Sequence, residues 1–242
     1  MKKFVLIFFV ATALITKAQT PQIDTTAIII LDRMSDLIGD LGSVSFTVNT
    51  SQDIIDVELG LVKYFNESQV YMVGPDKLLI HSNGNKGHRG MWYNGEELVY
   101  YSFTESTYAV IDTPPTIIET FDEVNQQYDI EFPAADFFYP TFTDDLIATM
   151  DDIILVGRCV VEGKNCYHII SRNKAMGVQF WISDDEWFLP VKMAITYYDE
   201  SPNTQYSATF SDWQVNPDLP NAMFNFTPPP KARKIKILAK QN

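Results

Sequence analysis

This chain is poor in cysteine and histidine, has fewer basic than acidic residues and lacks long apolar runs. Of its 242 residues only Cys159 and Cys166 are cysteine, which excludes a disulfide-stapled scaffold and a four-cysteine metal site. Among the three histidines, His81 and His88 flank a polar loop and read as solvated loop residues. No run beyond the N-terminal one approaches the length of a membrane-spanning helix. Lys and Arg number 18 against 31 Asp and Glu, a net charge of −13, so nucleic acid and anionic headgroup surfaces are repelled. Gly-x-Ser-x-Gly, His-Glu-x-x-His and the P-loop are all missing. The acidic groups Asp144-Asp145, Asp151-Asp152 and Asp184-Asp185-Glu186 lack the spacing of a calcium loop. They belong to turns and helix starts, where carboxylates accept from backbone donors. The expectation is a protein that is not an enzyme, with no cofactor and no metal.

What is present begins with an address. Met1-Lys2-Lys3, an apolar run from Phe4 to Ile15 and the small-residue cut after Ala18 compose a secretory signal peptide over residues 1–18. No cysteine adjoins the cut, so no lipid anchor is expected, and the location is the periplasm or beyond it. Residues 19–242 read as a single domain, with 46% hydrophobic and 13% aromatic content in the whole chain to supply a core. Loss of Lys2, Lys3 and Lys17 takes the charge from −13 to −16. The five basic residues Lys231, Arg233, Lys234, Lys236 and Lys240 lie in 228–242 without an acid, which leaves about −21 on the rest. That acidity favours a soluble monomer.

The chain turns on the stretch from Arg89 to Val110. Asn94-Gly95 between alternating aromatic runs predicts a two-residue hairpin of type I′, and a second turn over Thr104 to Thr107 makes a three-stranded meander. Trp92, Val99, Tyr101, Phe103, Tyr108 and Val110 then share one face. Met91, Tyr93, Leu98, Tyr100, Ala109 and Ile111 share the other. Both faces are largely apolar, so the sheet is covered on one side and curled around something on the other.

On either side the pattern is regular. Asp24-Thr25-Thr26 starts a helix with Ala27, Ile30, Leu31, Met34 and Leu37 or Ile38 at helical spacing and Gly39 as its stop. Strands are expected around Val44-Phe46-Val48, around Val57-Leu59-Leu61 and from Val70 to Ile80. Between about 114 and 152 the period becomes helical, with Ile117, Phe121 and Val124 on one side and a second short helix from Asp144. Five strands follow: Ile153–Val161, Cys166–Ser171, Gly177–Ser183, Val191–Tyr198 and Gln205–Trp213. A last edge strand lies within Lys231–Lys240, with Ile235 and Ile237 inward and its lysines outward to discourage aggregation. The fold class is α+β, one curled antiparallel sheet wrapped on helices.

Cys159 and Cys166 flank Glu162-Gly163-Lys164-Asn165, a hairpin turn. With Glu162-Gly163 as the loop the cysteines lie directly opposite; with all four residues as loop they lie diagonally on one face. A disulfide Cys159–Cys166 suits an exported protein, and a metal pair completed by His168 is the sharper alternative, without a fourth ligand in sight.

The order of pieces resembles the LolA/LolB-type lipoprotein-carrier fold, and more closely a family of uncharacterised bacterial periplasmic proteins of that superfamily. The similarity rests on Leu31-Asp32-Arg33-Met34-Ser35, Gly74-Pro75-Asp76-Lys77-Leu78, Trp92-Tyr93-Asn94-Gly95, Pro114-Pro115-Thr116-Ile117 and Phe132-Pro133-Ala134-Ala135-Asp136-Phe137. In the second half it rests on Cys166-Tyr167-His168, Leu189-Pro190-Val191-Lys192 and Phe224-Asn225-Phe226-Thr227-Pro228-Pro229. The family pattern has Arg at Gly74 and Asp at Asn94, so neither position takes a charged role here. The resemblance implies a half-open β-barrel closed by helices around an apolar cavity that takes up a lipid or acyl chain. The candidate lining is Trp92, Tyr101, Phe103 and Tyr108, with Phe137 and Phe138 as a lid; core packing is the alternative role for each. A non-catalytic envelope module that binds a protein partner, its barrel filled by side chains, is the second reading.

Overall fold

Two runs of antiparallel strands meet edge to edge in the computed structural model, which describes residues 22–128, 130, 132 and 135–240. The signal peptide expected over 1–18 lies outside those residues, as do Pro133 and Ala134. The first half contains β1 (Gln22–Ile23), α1 (Thr25–Gly39), β2 (Ser43–Asp56), β3 (Gly60–Val73), β4 (Lys77–Gly84), β5 (Gly87–Tyr93), β6 (Glu97–Ser102) and β7 (Thr107–Asp112). The insert supplies α2 (Ile117–Tyr128), a 3-10 turn (Ala135–Phe138) and α3 (Phe142–Thr149). Then come β8 (Asp152–Val161), β9 (Lys164–Arg172), β10 (Met176–Ser183), β11 (Pro190–Tyr197), β12 (Gln205–Val215) and β13 (Arg233–Lys234). The strand order is β1-β8-β9-β10-β11-β12-β2-β3-β4-β5-β6-β7-β13, one open, curled sheet. Pairing of β12 with β2 joins the halves (Phe210 opposite Val48), and the insert lies between them in sequence.

Local chemistry accounts for the helices. Asp24 caps α1 by accepting from Thr26 N at 2.7 Å, and Ala27, Ile30, Leu31, Met34 and Ile38 form the buried stripe expected from the sequence. At α2, Thr116 Oγ1 accepts from Glu119 N at 3.3 Å and donates to the Glu119 carboxylate at 2.7 Å, while Ile117, Phe121 and Val124 are buried. Ile117 N donates to Pro75 O and Tyr93 Oη donates to Pro114 O, which ties the insert to the meander. The packed end of the sheet holds an aromatic core. Phe46 stacks on Trp213 at 4.4 Å, and Phe137 meets both Phe142 and Phe210.

Three sequence expectations need correction. Val57 and Leu59 form the tip of the β2–β3 hairpin, 101% and 76% exposed, and only Leu61 lies in a strand, opposite Ile55. The Asp56 carboxylate accepts from the N–H groups of Glu58 and Leu59, at 2.9 and 2.8 Å, and this side-chain turn outweighs the apolar alternation. The Asn94-Gly95 loop is longer than two residues, since Tyr93 pairs with Leu98. Asn94 Oδ1 accepts from the N–H groups of Glu96 and Glu97, both at 3.1 Å, and only Gly95 has a positive φ of 95°. A shift of two residues preserves side-chain parity, so both faces of the meander are as expected. The last strand is reduced to Arg233–Lys234, parallel to β7; Ile235 is 43% exposed while Ile237 packs on the core.

Candidate functional site

Strand register assembles the site row by row. On the inner face Val48, Ser68, Ser82, Arg89, Ser102 and Thr107 stand side by side across β2 to β7. One pair further inward, Val70, Ile80, Met91, Tyr100 and Ala109 form the next row. One pair outward, Ala208, Thr50, Asn66 and Gly84 are aligned. A polar band therefore interrupts an otherwise apolar face.

Over this face, beneath the insert, lies a cavity of about 870 Å³. That size falls within the roughly 300–1,000 Å³ of pockets that enclose small ligands. One apolar wall comprises Met91, Tyr100, Phe121 and Phe132; another comprises Met193, Ile195 and Tyr206; Ile237 of the C-terminal segment completes the rim.

The polar groups of the lining are unevenly satisfied. Ser68 and Ser82 share a hydrogen bond of 2.7 Å, and Asn66 Nδ2 donates to Ser68 Oγ at 2.8 Å. Asn66 Oδ1 and Arg89 Nε are both buried without a hydrogen-bond partner among the described residues. Arg89 also forms no ion pair among the described residues. An unmet buried donor or acceptor costs about 1–3 kcal/mol, and more when charged. Across the cavity the insert contributes acids: burial pushes the Asp136 carboxyl up, and Tyr139 Oη donates to Asp122 at 2.7 Å. Burial, followed by that bond to Asp122, raises the Tyr139 phenol well above its usual range.

The aromatic residues singled out from the sequence sit elsewhere. Trp92, Tyr101, Phe103 and Tyr108 do share a face, but it is the outer one. Phe226 of the C-terminal segment packs on Trp92, Tyr101 and Tyr108 at 4.9, 5.4 and 5.5 Å, and Phe103 stacks on His88 at 4.0 Å. They form an external aromatic cluster that the chain covers itself, and none of them lines the cavity. Phe137, 2% exposed, and Phe138, which stacks on Phe46 at 6.0 Å, belong to the core beneath the 3-10 turn; its Ala135 and Asp136 and the adjoining Tyr139 reach the cavity instead. Met91, Tyr100 and Arg89 were missed as site residues. The signal available for Arg89 was a lone cation in phase with the apolar Met91 and Tyr93 along β5.

Cys159 and Cys166 are directly opposite across the Glu162-Gly163 turn, whose two residues have φ of 50° and 74°. Both are free thiols in this structure, so the expected disulfide is not formed. His168 hydrogen-bonds Gln179 at 3.0 Å and stacks on Trp181 at 4.8 Å, so it is held by its own neighbours.

An uncharacterised conserved protein from Thermus thermophilus matches with a TM-score of 0.50 at 12% identity, over 87% of this chain and 99% of that one. The lipoprotein LppX of Mycobacterium tuberculosis gives 0.49 at 13% identity over 81% and 98% of the two chains. A LolA superfamily protein from Nitrosomonas europaea gives 0.36 at 10% identity over 83% and 97%. At these identities the Thermus likeness shows the fold alone. No curated protein matches the sequence. The family description "predicted periplasmic protein (DUF2092)" matches residues 27–238. Most of the chain is thereby accounted for, and it belongs to this family of predicted periplasmic proteins.

Proposed function

We propose that this periplasmic protein binds a lipid, an acyl chain or another hydrophobic group and shields it from water. The observation that carries this reading is the 870 Å³ cavity on the inner face, walled by Met91, Tyr100, Phe121, Phe132, Met193, Ile195 and Tyr206. Burial of apolar surface yields about 25 cal/mol per Å², or about 0.8 kcal/mol per methylene. A long chain thus reaches micromolar affinity without a reacting group.

The test is titration of the mature protein with a fluorescent fatty-acid probe, paired with native mass spectrometry. Saturable uptake with a one-to-one mass is expected, lost in Tyr100→Glu but retained in Trp92→Ala. A folded protein that takes up no probe overturns the reading.

The β2–β3 hairpin tip favours a second reading, contact with a protein partner in the envelope. Ile55, Val57, Leu59, Leu61 and Phe65 are 49, 101, 76, 47 and 59% exposed. Apolar surface of this kind, concentrated on one hairpin, marks contact sites more often than scattered exposure does.

A further inference from the structure

Within the cavity reading, on which this inference rests, we infer that the bound molecule is an amphiphile with an anionic head group held by Arg89. The chain carries a net charge of −13, yet Arg89 forms no ion pair among the described residues. Its Nε is buried without an acceptor among the described residues, although the acids Asp122 and Asp136 line the same cavity. A guanidinium N–H withdrawn from water and left unsatisfied leaves an acceptor to be supplied from outside the chain.

Position makes the acceptor part of an amphiphile. Arg89 stands in the band with Ser68 and Ser82, one residue pair from Met91 and Tyr100, which begin the apolar wall leading to Phe121 and Phe132. A carboxylate or phosphate on Arg89 therefore places an attached alkyl chain over apolar side chains. Lys86 lies on the same lining and adds a second positive charge. The acidic exterior repels an anionic bilayer surface, so such a head group is selected inside the cavity and not by the surface around it.

Two sources share this chemistry. A fatty acid offers a bare carboxylate; a lysophosphatidic acid offers a phosphate and a glycerol hydroxyl, and the hydroxyl can satisfy the buried Asn66 Oδ1.

The experiment compares oleic acid, oleoyl lysophosphatidic acid and methyl oleate by probe displacement and native mass spectrometry. It uses the wild type, Arg89→Met and Arg89→Lys, with folding checked by circular dichroism. Charge-assisted bonds predict that the better anionic ligand binds about 10- to 100-fold more tightly than methyl oleate. Arg89→Met is expected to erase that preference without weakening methyl oleate, and Arg89→Lys to restore part of it. Tighter binding of the lysophosphatidic acid than of oleic acid identifies the phosphate source; the reverse order identifies the carboxylate. Equal binding of acids and ester, or a preference that survives in Arg89→Met, overturns the anionic head while the cavity reading stands. If folded protein binds none of the three, the cavity reading itself fails and this inference with it.

Discussion

Met91 and Trp92 are neighbours in β5 that serve opposite sides of the sheet: Met91 lines the cavity, whereas Trp92 packs on Phe226, 4.9 Å away on the outside. The two residues should therefore separate binding from stability. Met91→Glu is expected to abolish probe uptake, because it puts a carboxylate where chain carbon would lie. Trp92→Ala removes an external aromatic contact and should cost about 1–3 kcal/mol in denaturant unfolding while uptake persists. Loss of uptake in Trp92→Ala at full stability would place the ligand on the outer face instead.

Gly90 lies directly beneath the Trp92 ring, which a Cβ at that position would overlap, with Phe103 also at 3.2 Å. Gly90→Ala must therefore displace the indole from its present contacts with Phe226 and His81. Overpacking of this kind costs about 1–3 kcal/mol. The expected result is a lower Tm with more solvent-exposed tryptophan fluorescence; an unchanged Tm would mean that the outer cluster is loosely packed.

The same cluster predicts a pH effect. His81 sits edge-on to Trp92 at 5.2 Å and its buried Nε2 has no partner. Burial, and secondarily the positive charge of His88, lower its pKa below the ordinary 6.5. The folded state therefore binds fewer protons than the unfolded chain as pH falls through that value, so stability is full above about 6.5 and declines below it. Thermal melts from pH 7.5 to 5 should show that decline, and His81→Gln should flatten it. An equal slope in the variant would assign the effect to other groups.

An opposite dependence on charge state governs the join between β1 and β8. The Asp152 carboxylate accepts from Arg172 Nε at 2.8 Å and from Gln22 N at 3.0 Å. The arginine bond first, and then the backbone bond, hold its pKa below 3.8. Its contribution is present above that value and is lost as pH falls through the lowered pKa. Asp152→Asn should loosen residues 22–24 at neutral pH, seen as faster amide exchange, and remove the acid-dependent part of that loosening. Unaltered exchange in the variant would show that the bond of Asp24 N to Ile153 O holds β1 by itself.

The two thiols should differ in reactivity. Cys166 is fully buried, and burial, with Cys159 next to it, pushes its pKa up, whereas Cys159 is half-buried. Alkylation is expected to reach Cys159 first and Cys166 only on denaturation. Opposed antiparallel residues have Cα atoms about 4.5 or 5.5 Å apart, within disulfide reach, so mild oxidation should close the pair. Two titratable thiols remaining after such treatment would count against this.

Much of this architecture was legible in the residues. Asp24 and the stripe from Ala27 to Ile38 specified α1; the strand expected over Gly177–Ser183 is β10; of the two registers open for Cys159 and Cys166, pairing across Glu162-Gly163 sets them directly opposite. Even the misjudged Asn94 loop left the two faces of the meander correct, because the error was two residues and strand parity repeats every two. Val57 to Leu61 misled because apolar alternation says nothing of a side chain such as Asp56 that closes a turn on the backbone.

The sequence by itself determined which residues share a face, since that follows from the local period of helix and strand. Which face turned inward was decided only in the tertiary structure. Both sides of β5 to β7 are apolar, so local pattern gives no preference between them. The direction of curl, the insert over Met91 and Tyr100, and the late arrival of Phe226 over Trp92 settled it. The polar band through Ser68, Ser82 and Arg89 has the same origin: it exists only once separate strands are brought into register.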